Sequence, residues 1–218
     1  GELGLRVLGG GLSIASRYPI IDRDREAFGR RACAGFDCLA NKGVMMARIY
    51  LPNVPVPLDV FNSHLNSRAA SRVSERRNLE AHRRQVAMAS AFIADTSDVD
   101  NPLIFGGDFN MRHSESRWEG FSEYHPLNLV HKFCVDEREH CDVRVSWDGD
   151  APWMDTQDLQ FFADGRRAEV RPVRVESMFD GRAGQPRLSD HDAFKVTYEI
   201  QWVEQSGDAD PANAVCKK

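Results

Sequence analysis

Hydrophobic residues recur along this chain in two rhythms, and the switch between them predicts a mixed α/β protein. Near-alternating or continuous apolar runs mark strands. Val44 to Leu51, rich in Val, Met, Ile and Tyr, reads as one strand and Leu58 to Asn62 as the next, with the prolines of Asn53-Val54-Pro55-Val56-Pro57 at turn positions between them. A short strand is expected over Leu12 to Ser16, stopped at Arg17-Tyr18-Pro19-Ile20 because proline cannot continue a ladder. Asp22 to Arg31 is charged enough to read as loop. Leu103 to Gly106 reads as the end of a buried strand, and further strands are expected over Thr156 to Phe162 and Val170 to Met178. The last strand alternates clearly, with Phe194, Val196, Tyr198 and Ile200 set against Lys195, Thr197 and Glu199.

Only one segment keeps a long helical period. From Ser74, a residue type suited to an N-cap, to about Asp95, Leu79, Val86, Ala89 and Ile93 share a face, and Arg76, Arg77, Arg83 and Arg84 take the other. His82 is expected on the surface of this helix. Met111 to Pro152 shows neither rhythm and reads as a long irregular region. Its aromatics, including Trp118, Phe121, Tyr124, Trp147 and Trp153, would pack onto the body or face a substrate. His113, His125, His131 and His140 share no ligand spacing there and read as loop residues. From Glu204 the chain is polar, so residues 1–203 are expected as one domain and 204–218 as a disordered tail.

Composition narrows the picture without naming a function. Of 218 residues, 42% are hydrophobic and 28% charged, as in ordinary globular domains. No apolar run approaches the length of a membrane span. Gly1-Glu2-Leu3-Gly4 shows no initiator Met and no signal core, so a targeting segment is not expected in this chain. The net charge of −5 argues against nucleic acid as a partner, although Arg68 to Arg84 is locally basic and reads as a solvated helix face. Among five cysteines, Cys33 lies close to Cys38 and Cys134 to Cys141, while Cys216 falls in the tail. Such pairs are disulfides in an oxidising compartment or free thiols in the cytosol, and the balance leans to disulfides and a secreted protein. No CxxC occurs, which counts against zinc. Gly9-Gly10-Gly11 lacks the rest of a phosphate-binding loop and reads as a flexible turn.

The chemistry gathers at four expected strand ends. They carry His64, Asp108 with Asn110, Asp158, and Asp190 with His191. Converging on one edge, they would offer carboxylates for a hard cation such as Mg²⁺ and a histidine beside an acid. That combination can activate water against a phosphodiester.

Gly-Gly-Asp-Phe-Asn at 106–110, Ser-Asp-His at 189–191, Ser-His-Leu-Asn at 63–66 and Asp158 occur in the order of the endonuclease/exonuclease/phosphatase superfamily, which the chain resembles from about Gly10 to Ile200. Gly11 to Ile20 and Asp37 to Ala47 are similar to its neutral sphingomyelinase branch. The resemblance implies a four-layer α/β sandwich of the deoxyribonuclease-I-like type and a metal-dependent phosphodiester hydrolase, sphingomyelin to ceramide and phosphocholine being the nearest reaction. It implies that His191 activates the attacking water or otherwise assists in-line displacement, that Asp158 is the orienting partner of His191, and that Asp108 and Asp190 hold Mg²⁺ or position water. Asn110 and His64 would hold the scissile phosphate. Which group is the general base is left open. The family's early Asn and metal-binding Glu have no counterpart here, so the chain is expected to lack the first strands of the fold. The expected partner is a phosphodiester, including a lipid headgroup at a membrane surface. A nuclease of the same fold and a catalytically inactive binding module are the alternatives.

Overall fold

A six-stranded sheet forms the platform of the computed structural model, which describes residues 8–145, 149–182 and 184–202. In chain order the strands are β1 (Leu8–Gly9), β2 (Ile20–Ala27), β3 (Ala40–Asn41), β4 (Gly43–Ile49) and β5 (Leu58–His64). Helix α1 (Glu75–Thr96) leads to β6 (Leu103–Asp108), α2 (Glu115–Tyr124), β7 (Asn128–Leu129), α3 (Val130–Asp136) and β8 (Asp142–Arg144). The chain closes with β9 (Asp158–Ala163), β10 (Ala168–Met178) and β11 (Ala193–Trp202). The large sheet runs β2-β4-β5-β6-β9-β7, and a second sheet runs β11-β10-β8.

The alternation of β9 shows how the layers divide. Leu159 and Phe161 point into one core with Phe61, Phe105, Phe109 and the apolar face of α1, including Val86, Ala89 and Ile93. Phe162 points the other way, into a second core with Val170 and Val175 of β10 and Val130 and Cys134 of α3. One strand therefore feeds two cores, as the period of two along a strand allows. Tyr198 of β11 donates to Gln160 Oε1 of β9 at 3.0 Å, tying the second sheet to the first. Cys33–Cys38 and Cys134–Cys141 are disulfides.

Several expectations fail. Leu12 to Ser16 forms no strand, and the charged stretch expected as loop is instead β2. All eight β2 residues are exposed, so this edge strand has no buried face to impose an apolar pattern. Met111 to Pro152 is not irregular: it holds α2 and α3, with Trp147 outside the described residues. Those helices are short, and α2 buries Arg117 alongside Gly120 and Phe121, which hides its period. His82 is not a surface residue. It is fully buried and donates from Nε2 to Phe109 O at 2.9 Å. His131 sits buried in α3, and His125 is the buried C-cap of α2. The segment 204–218 lies outside the described residues.

Candidate active site

Strand register builds the centre of the site. In the parallel β5–β6 pair His64 stands opposite Asp108, and in the antiparallel β6–β9 pair Asp108 stands opposite Asp158. Paired residues project from the same face, so three adjacent strands present a row of His, Asp and Asp. That face is turned away from α1, because the alternate positions Phe61, Phe105 and Leu159 fill the α1 core. The row closes through contacts. His64 Nε2 lies 3.2 Å from Asp108 Oδ2, and His191 Nδ1 lies 2.6 Å from Asp158 Oδ2. His191 reaches in from the loop before β11, so four separate segments supply the four groups.

One glycine lets the row exist. At Gly107 the φ is +147° and a Cβ would stand 2.0 Å from Ser63 O, so β6 passes β5 there with backbone alone. Three residues on, Asn110 takes a left-handed φ of +53°, which suits its short amide. Its backbone N–H donates to Asp108 Oδ1 at 2.9 Å, and its side-chain Nδ2 donates to Leu65 O at 3.0 Å. The buried Asn110 amide nitrogen is thus occupied by the end of β5.

Charge is concentrated here. Burial raises the Asp158 carboxyl to about 6, the nearby Asp108 charge adds to that, and His191 opposes it. Burial disfavours charge on His191 as well, yet Asp158 and Asp108 outweigh it and raise the imidazole above its ordinary value. His191 Nε2, the other ring nitrogen, lies 3.3 Å from the Gln157 side-chain nitrogen. With Nδ1–H held by Asp158, Nε2 is the lone-pair atom that can take a proton from water.

Two cavities meet at this pair. The larger, about 740 Å³, runs along the exposed sheet face past Val60, Asn62, Ile104 and Gln160 to Asp158 and His191. The smaller, about 450 Å³, is lined by Arg112, Thr156, Gln157, Arg187 and Asp190 and also reaches His191. Asp190 is exposed on its loop, 3.3 Å from the Ser189 hydroxyl, and faces this second cavity rather than the strand-end row.

The donor set does not complete a divalent-cation site. Both Asp108 oxygens already have partners, and no three His, Cys, Asp or Glu side chains among the described residues surround one point. Asp108 and Asp190, expected as the metal ligands, are therefore one bonded carboxylate and one exposed carboxylate.

Sequence reasoning missed the groups behind the row. Gln157 had no signal beyond its place before Asp158. Lys42 is buried, with Nζ 2.9 Å from Asp37 Oδ1 and 2.8 Å from Leu65 O. Burial lowers its pKa, and Asp37 resists that shift. Both residues fall in the 37–47 stretch of the family resemblance, but nothing local marks them as a buried pair. Arg117 lies wholly inside, beneath the ends of β5 and β6.

This architecture is the deoxyribonuclease-I-like α/β fold, that of the endonuclease/exonuclease/phosphatase proteins. An endonuclease/exonuclease/phosphatase from Bacteroides vulgatus superposes with a TM-score of 0.58 at 14% identity, covering 84% of this chain and 67% of that one. Sphingomyelinase C from Streptomyces griseocarneus matches with a TM-score of 0.52 at 18% identity, covering 78% of this chain and 63% of that one. A beta toxin variant from Staphylococcus aureus with bound magnesium ions matches with a TM-score of 0.53 at 14% identity, covering 88% and 64%. The chain spans about three-fifths of the sphingomyelinase and of a further beta toxin structure. No family model and no curated protein sequence matches it.

Proposed function

We propose that the protein hydrolyses phosphodiesters, with His191 as the proton acceptor and Asp158 as its orienting partner. The observation that carries this is the 2.6 Å contact between His191 Nδ1 and Asp158 Oδ2 at the mouth of two cavities. Water attacks phosphorus, its proton goes to His191 Nε2, the P–O bond to the leaving group breaks, and that oxygen leaves to be protonated. His64 stands beside Asp108 to donate to a phosphate oxygen as negative charge develops there. Asn110 and Asp108 hold the strand end that presents them.

The substrate we favour is a lipid phosphodiester of the sphingomyelin kind, on the 37–47 resemblance and the likeness to sphingomyelinase C. The acidic balance disfavours nucleic acid. Mg²⁺ enters the reading through the beta toxin with bound magnesium, and the described carboxylates do not complete its site, so the steps above use this chain's own side chains alone. That incomplete donor set favours one other reading, an inactive binding module. Two disulfides accord with an oxidising, extracellular setting. No described helix is long and apolar enough to cross a membrane.

The test is phosphocholine release from sphingomyelin by the whole protein, with Mg²⁺ and with EDTA, beside nicking of supercoiled plasmid. Release of phosphocholine is the expected result, and the EDTA arm reads whether a divalent cation from outside the described carboxylates is needed. Nicking without release would move the substrate to nucleic acid, and neither activity would leave the binding-module reading standing.

A further inference from the structure

Four strand-end carbonyls, one consecutive pair leaving β5 and another leaving β6, are each met by a buried donor. Leu65 O accepts from Lys42 Nζ at 2.8 Å and Asn110 Nδ2 at 3.0 Å. Phe109 O accepts from His82 Nε2 at 2.9 Å. The other two share a single group: Arg117 Nη1 donates to Asn66 O at 2.7 Å and to Asn110 O at 3.0 Å. Arg117 is 0% exposed, and among the described residues no carboxylate lies within ion-pair distance of it. Its Nε and Nη2 are buried without a hydrogen-bond partner. A guanidinium kept in the interior without a counter-ion is costly, and a Leu or Met would fill the same space on α2 without that cost. What a Leu could not do is bridge two carbonyls from different strands.

We propose that Arg117 is a positioning residue of the site, tying the end of β5 to the end of β6 and so setting the spacing of His64, Asp108 and Asn110. The bridge spans the two loops that carry these residues: Asn66 follows His64 by two positions, and Asn110 follows Asp108 by two. It acts at the place where the β5–β6 ladder ends and the backbone must otherwise be held by side chains. The attraction between the Arg117 charge and Asp108 pulls the same way. For catalysis this inference rests on the hydrolase reading; for the geometry it does not.

Amide hydrogen exchange on the whole protein, wild type against Arg117→Met and Arg117→Lys, separates the two. In Arg117→Met, exchange at Leu65 and Asn110, whose N–H groups bond Asp108, should rise by about tenfold or more, while Met46 of β4 and Val86 of α1 stay unchanged. Arg117→Lys, whose ammonium can reach these carbonyls but not as a rigid fork, should give an intermediate rise at the same amides. If Arg117→Met does not fold, Arg117→Lys carries the test. A uniform rise through the sheet and α1, or none at Leu65 and Asn110, overturns the proposal. On bis(p-nitrophenyl) phosphate, Arg117→Met should lower kcat by about tenfold or more at unchanged KM. A wild type that hydrolyses no phosphodiester refutes the hydrolase reading, while the exchange data still decide the role of Arg117.

Discussion

Asp158 sits between two neighbours of opposite effect: His191 Nδ1 at 2.6 Å and, across the β6–β9 pair, Asp108. The same carboxylates that crowd one another raise the His191 pKa above 6.5 against its burial. The unprotonated base therefore forms only as pH rises through a value above that.

Asp158→Asn removes the charge, so the His191 pKa falls and the acidic limb of kcat/KM moves to lower pH. With the imidazole no longer oriented, kcat drops on the order of 10²–10⁴-fold. pH–rate profiles of both proteins check this, and a limb that does not move would remove His191 as the base.

Asp108→Ala in the whole protein should nearly abolish turnover, by on the order of 10³-fold, while the fold persists. The Asn110 N–H loses its acceptor, at a cost of about 1–2 kcal/mol. Circular dichroism melts beside turnover assays read both effects. Retained activity would take Asp108 out of the mechanism.

The glycine pair of β6 separates cleanly. At Gly106 the nearest atom to an added Cβ is Gln160 Cγ at 3.6 Å, an ordinary contact, so Gly106→Ala should change stability by no more than about 1 kcal/mol. At Gly107 the Ser63 carbonyl blocks the Cβ and φ is unfavourable, so Gly107→Ala should cost about 3 kcal/mol or more. Thermal melts of the two variants give the comparison, and equal Tm values would contradict the strand-end geometry.

Buried histidines should make the fold acid-sensitive. Burial first, then Arg117, pushes His82 down to about 3, and burial pushes His125 and His131 down to about 4. Because these folded-state values are depressed, their contribution is complete above pH 6.5 and is lost as pH falls towards 4. For His125 or His131 the full loss is on the order of 3 kcal/mol each. Asp158 runs the opposite way, since its raised pKa favours the fold at low pH, but one partly exposed carboxyl cannot offset three imidazoles. Tm should therefore drop steeply between pH 7 and 4.5, and His131→Phe should flatten that drop. An unchanged slope would show that protonation at His131 does not drive it.

Periodicity along the chain was enough to place α1, β4, β5, β6, β9, β10 and β11, because each has a face against an apolar core. The short ordered motifs were enough to propose the fold class and to single out His64, Asp108, Asn110, Asp158 and His191. β2 escaped because an edge strand exposed on both faces carries no apolar rhythm, and α2 escaped because one of its few buried positions is an arginine. Asp108 and Asn110, which a glycine turn alone would explain, gained their setting only from register: His64, Asp108 and Asp158 align through ladders between strands far apart in sequence. Tertiary structure alone also decided that Asp190 faces a different cavity, and that Lys42, His82 and Arg117 lie buried behind the row. Local pattern records which face of a segment meets apolar atoms. It does not record which polar groups from distant segments meet each other, because that depends on how the layers pack.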